Sequence, residues 1–206
     1  TPTRESCGLP QDAFVFCSFN NNYKYTPEMF TTWMNILRRV AGSVLWLLAD
    51  NAWAEANLRQ EAITRGIDPA RLIFASRVAP ENYLARYRVA DLFLDSFPFN
   101  AGTTANDALW MGLPVLTRSG RTFASRMAGA LLTACRLSEL VTYTLQDYEE
   151  KAVSLGSDRT DCLRLRAHLA LEREHGVLFD TSMFVRNLES RLLRLAGRQG
   201  GTDARV

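Results

Sequence analysis

Lys24, the run Gly102–Thr103–Thr104 and Asp107 are the side chains whose types and spacing suit phosphate chemistry. Lys24 lies in a polar loop, Asn20–Asn21–Asn22–Tyr23–Lys24–Tyr25, directly after an apolar strand pattern. Gly102 lets a ligand approach the backbone, and the threonines behind it open a compact helix pattern to about Met111. The first N–H groups of such a helix have no intrahelical partner and carry the positive end of its dipole, a natural anion site. The helix start contributes roughly 0.3–1 kcal/mol. Two threonine hydroxyls add donors, and Lys24 adds a flexible positive charge. Asp107, one turn further, offers a carboxylate to a pair of ribose hydroxyls, each charged hydrogen bond contributing roughly 1.5–3 kcal/mol. Val78 and Ala79 precede Pro80, which has no N–H, so their backbone groups are available to a base edge. Together these groups suit a sugar nucleotide whose diphosphate leaves without help from a metal. Each stretch also has a plain reading: a helix cap, a solvated loop lysine, a strand-to-helix turn. Tyr23 and Tyr25 are ring platforms or ordinary surface aromatics.

What positions these groups is an alternation of strand and helix. Ala13–Phe19, Ser43–Leu48, Arg71–Ser76, Leu92–Leu94, Val115–Thr117 and Leu140–Thr142 read as short buried strands. Helix patterns run from Thr26–Pro27 to about Val40, from Asp50 or Asn51 to near Gly66, and from Pro80 to about Arg88. Further helices are expected at Arg121–Ala134, Gln146–Leu155, Asp158–Glu174 and Thr181–Leu195. The alternation predicts an α/β fold, a Rossmann-like, mostly parallel sheet with helices on both faces. In such sheets ligands sit beyond the carboxyl ends of the strands at the topological switch point. The candidate loops converge there.

Composition narrows the chemistry. The 206 residues carry a net charge of +2, which gives no nucleic-acid footprint. No apolar run approaches a membrane span. The start lacks both Met and a signal peptide's apolar region, as expected of a piece of a longer polypeptide or of a chain trimmed by processing or by design. The four cysteines form no CxxC pair and suit a reducing compartment, so a cytoplasmic location is expected. The two histidines, His168 and His175, lie in a charged helical region, which disfavours zinc or serine–histidine chemistry. No GxGxxG, GKS/T or DxD pattern occurs, and internal repeats are absent.

Several stretches occur in order with family spacing: FCSFNNNYKYTPEMFTTWMNILRRVAGSVLWLL, RLIFASRVAPENYLARYRVADLFLDSFPFNAGTTANDALWMGLPVLT, SGRTFASRMAGALL and LVTYTLQDYEEKAVSLGSD. From about Leu9 to Leu195 the chain resembles the catalytic region of protein O-GlcNAc transferases, specifically the carboxyl-terminal lobe of that GT-B glycosyltransferase fold. The resemblance implies a UDP-GlcNAc donor site and a metal-independent enzyme that inverts at the anomeric carbon. Its acceptors are serine or threonine hydroxyls of proteins. It further implies an upstream catalytic lobe and acceptor-binding tetratricopeptide repeats, both outside this chain. The chain alone is therefore expected to bind UDP and transfer little.

By the same resemblance Lys24 contacts the diphosphate and is needed for catalysis, while Asn21 stands where the family usually has glutamine. Ala79 matches the residue whose backbone pairs with uracil, Asp107 the ribose carboxylate, and Thr103 and Thr104 the phosphate-binding pair. Gly102 departs from the pattern, which often has histidine. Glu81 and Tyr87 stand where animal enzymes have basic residues flanking base and ribose. Phe99 replaces a smaller residue near the acetamido group. A SPINDLY-like branch shares this lobe but uses GDP-fucose; Asp107 and the RVAP turn look more like the GlcNAc branch. A catalytically silent nucleotide-binding or interaction module is the remaining alternative. The expected organisation is a loose lead-in at 1–10, the lobe at 11–196 and a disordered tail at 197–206. The closing helix, apolar at Phe184, Leu188, Leu192 and Leu195, is expected to pack on the upstream lobe or on its own sheet.

Overall fold

The computed structural model describes residues 2–199. Six short strands form its sheet: β1 (Val15–Ser18), β2 (Val44–Leu48), β3 (Leu72–Ala75), β4 (Leu92–Leu94), β5 (Val115–Arg118) and β6 (Val141–Thr142). Every residue of β1, β2 and β4 is buried, which is why these strands read as unbroken apolar runs. The spatial order is β3-β2-β1-β4-β5-β6, and each neighbouring pair is parallel. Cys17 in the centre lies opposite Trp46 on one side and Phe93 on the other. The expected Rossmann-like α/β fold forms, with parallel pairing throughout. The winding direction reverses between β1 and β4, so the crevice of the sheet opens at their carboxyl ends.

Local capping sets the helices. Thr26 accepts the Met29 N–H at 3.2 Å and Pro27 fills the first position of α1 (Pro27–Arg39). One face of α1 buries Met29, Phe30, Trp33, Met34, Ile36 and Leu37. Its polar edge meets α6 (Leu145–Ser157), where Arg39 pairs with Glu149 at 3.1 Å and with Glu150 at 2.7 Å. Beneath them Trp33 Nε1 donates to the Tyr148 hydroxyl at 3.3 Å, which donates to the Asp95 backbone carbonyl at 3.0 Å. The cover is completed by α2 (Ala52–Thr64), α3 (Pro80–Arg86), α4 (Thr103–Trp110), α5 (Met127–Ala134) and α7 (Arg159–His175), after which comes α8 (Thr181–Gln199).

Arg71, just before β3, ties three elements together. Its guanidinium donates to the Leu37 carbonyl at 2.6 Å, the Val40 carbonyl at 2.9 Å and the Ser43 carbonyl at 2.7 Å. These are carbonyls at and beyond the end of α1 that the helix itself leaves unpaired. Arg71→Ala is expected to lower unfolding free energy by about 3 kcal/mol, read by urea denaturation, because charge-assisted bonds to half-buried carbonyls are lost together.

Three expectations change. The lead-in is not loose: Arg4 bonds to the Asp91 carboxylate at 2.7 Å and to the Ala13 carbonyl at 2.7 Å, anchoring the chain ahead of β1. The helix expected from Arg121 begins later, with a 3-10 turn at Ala124–Arg126 leading into α5. There Thr122 and Ser125 exchange side-chain and backbone bonds, among them Thr122 N–H to Ser125 Oγ at 3.1 Å, and this local pairing competes with the helix. Finally, α8 continues through Gly197 to Gln199, where a disordered tail was expected. Residues 200–206 of that tail lie outside the described residues. Phe184, Leu188, Leu192 and Leu195 are all exposed, so α8 does not dock them on its own sheet.

Candidate functional site

The site is built where β1 and β4 end. After β1 the chain turns through Asn22–Lys24, and the Tyr25 hydroxyl lies 2.7 Å from the Asn20 carbonyl and 3.1 Å from the Ser18 carbonyl. Tyr25 also packs edge-on against Trp33 with ring centres 4.9 Å apart. It is therefore a brace for the loop and not a ligand platform.

After β4 the loop closes on Asp95, which is fully buried. One carboxylate oxygen accepts the N–H groups of Ser96 and Ala101, each at 2.7 Å, and the other accepts the Thr117 hydroxyl at 2.6 Å. Burial nevertheless outweighs these donors and the nearby Lys24, and pushes the carboxyl up to about 7 from its ordinary 3.8. The folded chain then holds a proton that the unfolded chain releases between those values. This group's contribution to stability is fully present below about pH 4 and is lost as pH rises through 7. Urea midpoints measured from pH 4 to 8 are expected to show that decline, and Asp95→Asn to remove it.

Lys24 reaches across from the β1 loop. Its ammonium donates to the Asn100 carbonyl at 3.3 Å and stands 4.2 Å from the centre of the Phe99 ring. Partial burial lowers its pKa, opposed by Tyr23 and Asp95. Directly after this loop α4 begins, its first residues Thr103 and Thr104 pointing N–H groups out of the helix end.

A cavity of about 430 Å³ opens between these elements, within the range of small-ligand sites. Asn21, Tyr23, Lys24, Val78 and Thr104 line it, bringing together loops from three strand ends. Ala79 is exposed beside Val78, and its carbonyl already accepts the Asn82 and Tyr83 N–H groups that start α3. Among the described residues its own N–H has no backbone acceptor. Gly102 and Thr103 precede Thr104 in the chain but do not line the cavity. Asp107 lies one turn along α4, half-buried and outside the cavity wall, its pKa raised by burial, and among the described residues no cation pairs with it. Phe99 lies outside the cavity wall, beneath Lys24.

Seven of the twelve expected residues are not on the cavity wall: Ala79, Phe99, Gly102, Thr103 and Asp107, and also Glu81 and Tyr87. Glu81 is exposed in the first turn of α3 and lines no part of the cavity. Tyr87 is fully buried, its hydroxyl against the Tyr83 hydroxyl and 3.3 Å from the Thr104 carbonyl. Helical register decides this: Tyr83, four residues earlier, takes the wall position and Tyr87 supports it from behind. At Gly102 an added Cβ would lie 2.8 Å from the Met127 methyl, so Met127 fills the space that a histidine side chain would need.

Sequence reasoning missed Arg77 and Arg86, both on the cavity wall. Arg77 pairs with Asp50 at 3.0 Å and reaches Asn21 at 3.3 Å, while Arg86 donates to the Ser76 carbonyl at 2.5 Å. The available signal was a basic residue immediately after a strand, in the same turn as Val78 and Ala79. It also missed Asn20, which links the β1 loop to α4 through a 2.8 Å bond from the Thr104 hydroxyl.

Comparison with known proteins places this geometry. The chain is 40% identical over 189 residues to a probable UDP-N-acetylglucosamine–peptide N-acetylglucosaminyltransferase, SEC, of Arabidopsis thaliana, covering 91% of this chain and 19% of that protein. It is 37% identical over 190 residues to the Caenorhabditis elegans UDP-N-acetylglucosamine–peptide N-acetylglucosaminyltransferase, covering 92% and 16%. The solved structure of a Thermobaculum terrenum O-GlcNAc transferase mutant superposes with a TM-score of 0.83 at 30% identity, over 91% of this chain and 38% of that one. The chain thus spans less than a fifth of the length of these curated relatives. Among the described residues no helix is long and apolar enough to cross a membrane. The model of glycosyl transferase family 41 matches residues 1–188, and the chain belongs to that family of glycosyltransferases.

Proposed function

We propose that this chain is the donor-binding lobe of an inverting, metal-independent transferase that moves GlcNAc from UDP-GlcNAc to serine or threonine hydroxyls of proteins. The observation that carries the reading is the meeting of Lys24, the start of α4 and the Val78–Ala79 turn around one cavity at the switch point of the sheet. In this reading uracil lies against the Ala79 N–H, the ribose hydroxyls bond to Asp107, and the diphosphate rests on the Thr103–Thr104 end of α4. The acceptor hydroxyl attacks the sugar's C1 as UDP leaves. Negative charge grows on the departing diphosphate, and Lys24 and the helix N–H groups are already arranged to receive it. Arg77 and Arg86 add positive charge along the wall. The names of the relatives support the donor and the polypeptide acceptor. An upstream lobe and tetratricopeptide repeats complete the proposed enzyme, which works in the cytoplasm.

Titration calorimetry of the chain with UDP, GDP and UDP-GlcNAc tests this. Preferential binding of the uridine compounds is the expected result. A preference for GDP moves the case to a SPINDLY-like fucosyl transfer, and failure to bind any nucleotide makes the chain a silent module.

A further inference from the structure

Asn20 occupies a position that the reaction as described above does not use. It is buried at 1% exposure in the middle of three segments, the end of β1, the loop after β4 and the start of α4. Its amide nitrogen lies 2.9 Å from Ser96 Oγ and 3.4 Å from an Asp95 carboxylate oxygen, and its amide oxygen lies 2.8 Å from Thr104 Oγ1. The direction of these bonds follows from Ser96, whose single hydroxyl proton goes to the Phe99 carbonyl at 2.7 Å. Ser96 Oγ can then only accept, so the amide nitrogen of Asn20 faces it and the amide oxygen faces Thr104. Thr104 must donate. Its one hydroxyl proton is therefore engaged inside the protein, and a phosphate oxygen meets Thr104 through its backbone N–H.

We propose that Asn20 is a positioning residue of the donor site: it holds the Thr104 hydroxyl and so fixes the mouth of α4 relative to the loop that carries Lys24. This inference rests on the donor reading above. It changes the role expected for Thr104, whose side chain orients the helix start and is not a phosphate ligand. The hydroxyl that remains for the diphosphate on this pair belongs to Thr103, the exposed first residue of α4. One buried amide thereby sets the spacing between the two halves of the cradle, the lysine and the helix end, before any ligand arrives.

A double-mutant cycle on UDP-GlcNAc affinity of the full chain, measured by calorimetry with melting curves alongside, tests the assignment. Thr104→Val and Asn20→Ala are each expected to weaken binding by about tenfold, and the double variant by no more than either alone. Thr104→Ser, which keeps the hydroxyl, is expected to bind as the parent does. Asn20→Ala combined with Asp107→Ala, at the ribose end, is expected to show simple addition. If Asn20→Ala does not melt cooperatively, Asn20→Ser takes its place in the cycle. A Thr104→Val penalty that persists undiminished without Asn20 makes Thr104 a direct ligand and overturns the proposal, as does a Thr104→Ser variant as weak as Thr104→Val. A parent chain that binds no uridine nucleotide overturns the donor reading and this assignment with it. Binding by the parent with additive Asn20 and Thr104 effects overturns the assignment alone.

Discussion

In an active transferase containing this chain, Lys24→Ala is expected to lower turnover by roughly 100- to 1,000-fold, the usual cost of removing one preorganised donor from developing negative charge. UDP affinity of the chain is expected to fall much less, by about tenfold or below, since the helix end and Asp107 still hold the ground state. The split follows from where the ammonium stands. Asn100 and Phe99 hold it at the carboxyl end of β4, and among the described residues no ion-pair partner is bonded to it, so it is available to a charge that grows during reaction. Lys24→Arg is expected to rescue poorly: a planar guanidinium does not replace a compact ammonium seated over one ring. Initial rates with UDP-GlcNAc, set beside calorimetric dissociation constants, give both numbers. Equal losses in turnover and in UDP affinity would show that Lys24 only binds.

Asp107→Ala carries the second large effect, and it falls on binding. In the proposed donor site two charged hydrogen bonds to ribose hydroxyls are lost together, which at roughly 1.5–3 kcal/mol each is expected to weaken UDP by at least about 100-fold. The carboxylate is half-buried on α4 and, among the described residues, pairs with no cation, so its removal is expected to leave the protein otherwise intact. Its loss is expected to leave the melting temperature unchanged or raised. Asp107→Asn keeps one acceptor and is expected to lie between. A 2′,3′-dideoxyuridine diphosphate should bind parent and Asp107→Ala alike; a parent that does not distinguish it from UDP removes Asp107 from the ribose.

The parts of this molecule that were readable in the chain are those written locally. Thr26–Pro27 announces α1, Asn51 caps α2, and β1, β2 and β4 show as apolar runs because both of their faces are covered. Lys24, Val78 and Thr104, which line the cavity, could be singled out because each sits just after a strand or at a helix start, where ligands of such sheets bind. The parts that were not readable depend on contacts across long separations. Asn20 reaches Thr104 over 84 residues and Asp95 over 75, and no local pattern in a run of three asparagines says which one makes those bonds. Tyr87 was expected beside base and ribose from its place in the family pattern, yet four residues of helix register give the wall to Tyr83 and bury Tyr87. Arg121–Phe123 continue a helix-compatible run, and only the pairing of Thr122 with Ser125 takes them out of it. The apolar stripe of α8 was legible as a stripe, but its exposure was not, because exposure depends on what packs elsewhere.

The most direct measurement is the backbone amide spectrum of the isotope-labelled chain during titration with UDP. Shifts concentrated at Lys24, Ala79, Thr103, Thr104 and Asp107, saturating together at one dissociation constant, are expected when the diphosphate lies between the lysine and the head of α4. Shifts that saturate while these amides stay fixed and others on the far edge of the sheet move would place the nucleotide elsewhere and contradict the donor site described for this lobe.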